Sequence, residues 1–302
     1  MEDYSQTSQD SQEHIRAAMK ARTIALPDGT ELPALGQGTW YMGEDKREAE
    51  READALRLGL DLGMSVIDTA EMYGDGGAEK VVGQAIAGRR DDVFLVSKAL
   101  PGHAGRKAIV KACENSLRRL GTDYLDLYLL HWRGSVPLGE TAEALEELKR
   151  SGKIRRWGVS NLDTGDMEEL LETPDGAGCE INQVLYHLGS RGIEYDLLPW
   201  QRERRMPTMA YCPIAQGGAL RRELMNHPSV RETAERHSAS PAQVLLAWAI
   251  REGDVLAIPK ASSREHVTEN AAAAALKLDE DDLKKLDAAF PAPNRKVPLD
   301  IV

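Results

Sequence analysis

Asp68, Tyr73, Lys98 and His131 are side chains that together could run acid–base chemistry on one polar bond. A free phenol has a pKa near 10. A lysine ammonium beside it favours the phenolate and is expected to lower that value. Tyr73 could then give a proton to a carbonyl oxygen, or take one in reverse. Asp68 would hold the Lys98 ammonium, and His131 would hydrogen-bond and orient the carbonyl. Trp40, Trp132 and Tyr211 would supply apolar walls or a stacking face. Each residue taken singly has a plainer reading: Asp68 as a turn cap, Lys98 as a surface lysine, His131 as a hydrogen-bonded core histidine, Tyr73 as a loop aromatic. The set gains weight from its placement, because its members end or follow successive short apolar runs.

Those runs are ALGQGTW, SVIDTA, VFLVSKA, YLDLYLLHW, WGVSN, INQVLYHL, TMAYCPI and VLAIPKA. Between them lie amphipathic stretches such as EAEREADALRLGLDLG, in which Ala53, Leu56, Leu60 and Met64 fall near helical spacing. Gly63, Gly88, Gly121 and Gly152 stand where those helices should stop. Strands alternating with helices imply a parallel sheet, and eight such units imply a (β/α)8 barrel. That fold needs ~250 residues, and the chain has 302, of which 42% are hydrophobic. In such a barrel the C-terminal strand ends share one mouth. Asp68, Lys98, His131, Ser160-Asn161, Gln183, Tyr211 and Lys260 all sit at run ends. Upstream, RTIALPDGTELPAL reads as a hairpin turning at Pro27-Asp28-Gly29 and closing the barrel bottom. Residues 1–21 read as a polar arm, disordered or weakly helical, and residues 22–302 as the barrel domain.

The remaining features exclude several classes. A net charge of −11 argues against nucleic acid and anionic membrane as partners. No apolar run approaches the ~20 residues that cross a bilayer. The polar N-terminus has no secretory h-region. Three scattered cysteines, Cys113, Cys179 and Cys212, do not form a disulfide framework, so a cytoplasmic location is expected. No His or Cys pair has metal-ligand spacing, and no metal is expected. A doubly wound dinucleotide fold wants G-x-G-x-x-G. Here Gly36-Gln37-Gly38 is followed by Thr39, Trp40 and Tyr41, and the third glycine is missing.

The motifs GQGTW, IDTAEMYG, YLDLYLLHW, IRRWGVSN, NQVLYH, AYCPIA and AIPKASS, with Asp-x-Ala-x-x-Tyr at 68–73, resemble the aldo-keto reductase family from about residue 22 to about residue 290. The similarity is greatest to its small bacterial methylglyoxal reductases. The resemblance implies a nicotinamide-dependent oxidoreductase with Asp68, Tyr73, Lys98 and His131 as its catalytic tetrad. It also implies that Ser160, Asn161 and Gln183 bond the nicotinamide amide and that Tyr211 stacks on its ring. Lys260 and Ser262 would bind the adenosine 2′-phosphate, with Glu269 and Asn270 near the adenine. Gly38, Thr39, Cys212, Pro213, Ile214 and Ala261 join the cofactor-lining set on the same ground. NADPH is the cofactor expected, with NADH as a second candidate. His266 stands where the family often has an arginine that packs on adenine and 2′-phosphate, and Cys212 stands where a serine often follows the stacking tyrosine. The substrate implied is a small carbonyl compound, and a monomer is expected. The short ending LKKLDAAFPAPNRKVPLDIV implies an open pocket. Two alternatives stay open: a non-catalytic cofactor-binding regulatory protein of the same fold, and a barrel isomerase or aldolase acting on sugar phosphates.

Overall fold

The computed structural model describes residues 2–302, with side chains from residue 9 onward. The chain opens with a helix, Glu2–Ala21, where the sequence suggested a disordered or weakly helical arm. Ile15 and Met19 in it are buried, and Ala18 packs against the core. These three lie at i, i+3, i+4 spacing, an apolar stripe diluted by the polar residues around it. An antiparallel hairpin follows, pairing Thr23–Ala25 with Glu31–Pro33, and Gly29 takes φ 86° in its turn.

The eight apolar runs each overlap a strand. They are β1 (Gln37–Gly38), β2 (Val66–Asp68), β3 (Phe94–Ala99), β4 (Leu125–Leu130), β5 (Ile154–Ser160), β6 (Cys179–Leu185), β7 (Thr208–Tyr211) and β8 (Val255–Ala257). They form one parallel sheet in sequence order. The first strand meets the last through bridges Leu35↔Ala257 and Gly38↔Lys260, with Gly36 and Gly38 N–H donating to Ala257 and Pro259 carbonyls at 2.9 and 3.1 Å. The sheet is thereby closed into a (β/α)8 barrel. Gly38 is required at this seam, because a Cβ there would stand 2.7 Å from the Ile258 carbonyl oxygen. Leu, Val, Ile and Ala side chains fill the space between sheet and helices.

Helices after the strands, among them Ala49–Asp61, Gly77–Ile86, Arg106–Leu120 and Leu138–Arg150, end as expected: Gly63, Gly88, Gly121 and Gly152 all have positive φ. The hairpin caps the end where the strands begin. Arg156, near the start of β5, donates to Asp28 Oδ2 at 2.7 Å and Thr30 Oγ1 at 2.6 Å. No described helix is long and apolar enough to cross a membrane.

Candidate active site

At the opposite end, the C-terminal strand ends surround a cavity of about 450 Å³. Asp68 closes β2 and Lys98 lies within β3, both buried. The Lys98 ammonium has three hydrogens, and three acceptors take them: Asp68 Oδ2 at 2.7 Å, the Thr69 carbonyl at 2.9 Å and the Tyr73 hydroxyl oxygen at 3.2 Å. Asp68 Oδ1 accepts from Gln183 Nε2 at 2.8 Å. The Tyr73 oxygen is therefore an acceptor towards Lys98, and its own hydrogen is left for the cavity that Tyr73 lines. Tyr73 begins the 3-10 turn Tyr73–Gly76. The helix start that follows it is held against the loop after β1 by a contact so close that a Cβ on Gly77 would stand well inside van der Waals distance of the Gly43 carbonyl.

The electrostatics differ from the sequence expectation at Tyr73. Its pKa is pushed well above the ordinary phenol value, first by burial, then by the Asp68 carboxylate. The expected lowering by Lys98 does not emerge. At 2.7 Å the Asp68 charge nearly cancels the ammonium, so desolvation decides the direction. Burial alone pushes Asp68 up and Lys98 down, and the ion pair pulls each the other way. His131, just past β4, is held at about 2 by burial and by Lys98. It is a neutral imidazole at any physiological pH. Its ring stands edge-on to Tyr73, 5.7 Å between centroids, and its buried Nδ1 has no partner among the described residues.

A second polar group lies on β5, β6 and β7. Ser160 Oγ donates to the Gln183 carbonyl at 2.8 Å, Asn161 Nδ2 to the His131 carbonyl at 3.2 Å, and the Tyr211 hydroxyl to Asn161 Oδ1 at 2.8 Å. The β5–β6 register shifts between Trp157 and Val159. Gly158 sits in the shift, where a Cβ would be 2.5 Å from the Ile181 carbonyl oxygen. The irregularity re-aims the two residues that follow. Tyr41, Asn161, Cys212 and Ala215 have positive φ without being glycine, and all four line the cavity. Strained backbone of this kind concentrates where a site over-determines it.

Of the residues read from sequence, the tetrad, Gly38, Thr39, Trp40, Trp132, Ser160, Asn161, Gln183, Tyr211, Cys212, Pro213, Ile214 and Lys260 come together here, with Lys98 buried just behind Asp68. Ala261, Ser262, His266, Glu269 and Asn270 lie outside the cavity, in or beside the helix Arg264–Ala272. Lys260 Nζ donates to Ser262 Oγ at 3.2 Å, His266 is exposed and Asn270 is buried. Sequence reasoning missed Tyr41, Met72, Arg133, Gln216, Arg221, Ile301 and Val302 in the lining. Gln216 Nε2 donates to the Tyr41 hydroxyl at 3.1 Å, linking two loops. Ile301 and Val302 of the tail reach the cavity and line it. No group of three or more His, Cys, Asp or Glu suited to a metal ion occurs among the described residues.

A closed parallel barrel with a buried Asp–Lys–Tyr chain and a neutral histidine at its mouth has the acid–base equipment of a carbonyl oxidoreductase. Residues 34–290 match the Aldo/keto reductase family, and the chain belongs to it. It is 57% identical to the methylglyoxal reductase YeaE of Escherichia coli over 284 residues, covering 94% of this chain and 100% of that one. It is 34% identical to the glyoxal reductase of Bacillus subtilis, covering 88% and 92%. An aldo/keto reductase from Klebsiella pneumoniae, crystallised with NADP and acetate, superposes with a TM-score of 0.91 at 59% identity, covering 93% of this chain and 99% of that chain.

Proposed function

We propose that this chain reduces small aldehydes and ketones, methylglyoxal-like dicarbonyls among them, with NADPH as reductant and Tyr73 as the proton donor. The observation that carries the reading is the hydrogen-bond chain at Tyr73. Lys98 donates to the phenol oxygen, so the phenol proton faces the cavity. The raised pKa keeps that proton in place at neutral pH. A carbonyl oxygen in the cavity would accept it, and neutral His131 would add a second hydrogen bond and set the angle of approach.

The residues present suit a nicotinamide dinucleotide. Ser160, Asn161 and Gln183 offer hydroxyl and amide groups beside the flat ring of Tyr211. No described donor reaches Gln183 Oε1, which leaves an acceptor for a carboxamide N–H. Arg221 lines the same cavity with no carboxylate partner among the described residues, and Lys260 has only Ser262. Two uncommitted cations in a protein of net charge −11 suit a polyanionic ligand. When bound, a reduced nicotinamide supplies hydride to the carbonyl carbon. Tyr73 supplies the balancing proton to its oxygen. The name of the E. coli relative makes methylglyoxal the first substrate to try. Lys260 and Ser262 would take a 2′-phosphate, while His266, Glu269 and Asn270 would serve only a ligand that extends beyond the cavity.

The test is turnover of methylglyoxal and other small carbonyls with NADPH and with NADH, before and after Tyr73→Phe. Loss of a general acid costs ~10²–10⁴ in rate, and NADPH binding should survive. Near wild-type turnover in Tyr73→Phe would remove Tyr73 from the role. A wild-type chain that binds NADPH but reduces none of these carbonyls would favour a non-catalytic, cofactor-binding protein.

A further inference from the structure

Glu79 and Arg119 form an ion pair that the reductase reading leaves unused, and it backs the turn that carries Tyr73. In that turn Gly74, Asp75 and Gly76 are left-handed in succession, φ 55°, 52° and 79°. Asp75 takes a side chain into a region that L residues disfavour. Such a turn persists only where its surroundings hold it. Gly76 is held on Arg119, in the helix Arg106–Leu120: a Cβ on Gly76 would stand 2.6 Å from the Arg119 Cδ and Nε. The arginine is fixed in its turn. Its Nε donates to Glu79 Oε2, and its Nη2 to Ser116 Oγ at 3.3 Å. Glu79 lies in the helix that starts at Gly77, with its side chain wholly buried. Its other oxygen, Oε1, accepts from Ser97 Oγ at 2.6 Å.

Ser97 precedes Lys98 on β3, and neighbours on a strand face opposite ways. Lys98 turns to Asp68 and Tyr73, and Ser97 turns to Glu79 in the helix layer. One buried carboxylate thus touches the strand that carries Lys98 and the arginine beneath the turn that carries Tyr73. The separation of those two pieces sets the 3.2 Å bond from Lys98 to the phenol oxygen. Glu79 also acts through its charge. Burial pushes the Lys98 ammonium down, and after Asp68 the carboxylate that opposes this is Glu79. An apolar pair of like size would fill the same space without burying charge, so packing alone does not account for it.

We propose that Glu79 and Arg119 are positioning residues for the reduction: the pair sets the Tyr73 hydroxyl against Lys98 and holds it there while the proton leaves. The inference rests on the reductase reading above, with Tyr73 as the proton donor. Glu79→Gln keeps the shape but loses the charge-assisted bond to Arg119. Arg119→Lys keeps the charge but loses the planar fork that reaches Glu79 and Ser116 while backing Gly76.

The experiment uses the full chain and measures kcat and KM for methylglyoxal at saturating NADPH, with NADPH Kd from fluorescence quenching. Each substitution is made in wild type and in Tyr73→Phe. Arg90→Lys is the control, because Arg90 forms a part-buried pair with Asp126 at 2.7 Å, outside the cavity lining. A misplacement near 1 Å can cost ~10² in rate, so Glu79→Gln and Arg119→Lys should each lower kcat about ten- to a hundredfold. KM and NADPH Kd should stay within about threefold, and Arg90→Lys should leave kcat unchanged. In Tyr73→Phe the same two substitutions should cost less than about twofold, because the hydroxyl they place is gone. A merely structural pair would lower kcat equally in both backgrounds. That result, an unchanged kcat in both single variants, a loss confined to NADPH Kd, or an equal loss in Arg90→Lys would overturn the inference and leave the reductase reading intact. Either variant alone decides it, should the other fail to fold. A full chain that reduces neither methylglyoxal nor any other small carbonyl, or a Tyr73→Phe chain with full turnover, would overturn both.

Discussion

Replacing Lys98 with methionine tests the buried centre of the site through stability as well as turnover. The substitution keeps length and apolar volume but leaves Asp68, with a side chain only 3% exposed, without its cation. Gln183 remains as its side-chain donor. Two routes put a size on the loss. Breaking a buried ion pair by removing one partner costs about 3–5 kcal/mol. If Asp68 instead takes up a proton, starting from an unfolded pKa near 3.9, neutralising it at pH 7 costs about three pKa units, or about 4 kcal/mol. The routes agree, and the second fixes a sign. In the variant the folded pKa of Asp68 lies above its unfolded value, so the penalty is absent below about pH 4 and grows as pH rises towards the folded pKa. Between pH 7 and pH 5 the deficit should shrink by about 2.7 kcal/mol. Urea unfolding of wild type and Lys98→Met at the two pH values measures it, with Asp68→Asn/Lys98→Met as the control in which the pH dependence vanishes. A deficit below about 1 kcal/mol that does not change with pH would refute the reasoning, since such a lysine would behave as a surface group. Turnover should fall in the same variant while NADPH Kd stays within a few-fold.

Three further outcomes follow from the same geometry. With His131 held at about 2, the reduction rate should show no histidine limb across about pH 5–8; a fall towards acid that disappears in His131→Gln would contradict the neutral imidazole. Lys260→Ala should weaken NADPH about tenfold or more and NADH far less, because a charge-assisted contact to the 2′-phosphate contributes about 1.5–3 kcal/mol; His266→Arg should widen the preference, and dissociation constants for both cofactors check it. Gly38→Ala should cost about 1–3 kcal/mol in thermal or urea unfolding, because its Cβ would meet the backbone carbonyl of Ile258 across the seam; a neutral result would mean that the seam yields more easily than its hydrogen bonds suggest.

The barrel was legible because its signals are periodic and local. Short apolar runs recur eight times, helical stripes lie between them and four stop glycines punctuate them, and each signal needs only its own neighbours to be recognised. The meeting of Asp68, Tyr73, Lys98 and His131 was legible because the strand ends of a parallel barrel must converge, which turns a list of polar residues into a place. The pKa of Tyr73 was not, because its direction depends on how far Asp68 cancels Lys98, a distance that no spacing encodes. Gln216, Tyr41 and Met72 lie in loops without period and Arg221 on a short polar helix, Gly218–Asn226, and whether such a side chain turns into the cavity is a tertiary fact. Ile301 and Val302 were missed because two apolar residues at the end of a polar tail look like fraying, and only the bonds of Lys296 to Asp163 and Asp196 and of Asp300 to Ser190 give them a position. The packing of the first helix was hidden for a related reason: three apolar residues in a polar stretch become a stripe only when Gly63 offers a seat for Met19.

The seam between β1 and β8 sets an order on the protein's own birth. Leu35 pairs with Ala257, more than two hundred residues later in the chain, so its partner does not exist until most of the polypeptide has been made. At a translation speed of about 5–20 residues per second, the wait is roughly 10–45 s. Throughout it the growing sheet has an open edge on the side of β1 and another at whichever strand has last emerged. Exposed edges of this kind recruit foreign strands, so the nascent chain is most vulnerable while its earlier units are already well formed. The final unit does more than add a strand, because its arrival removes both edges at once.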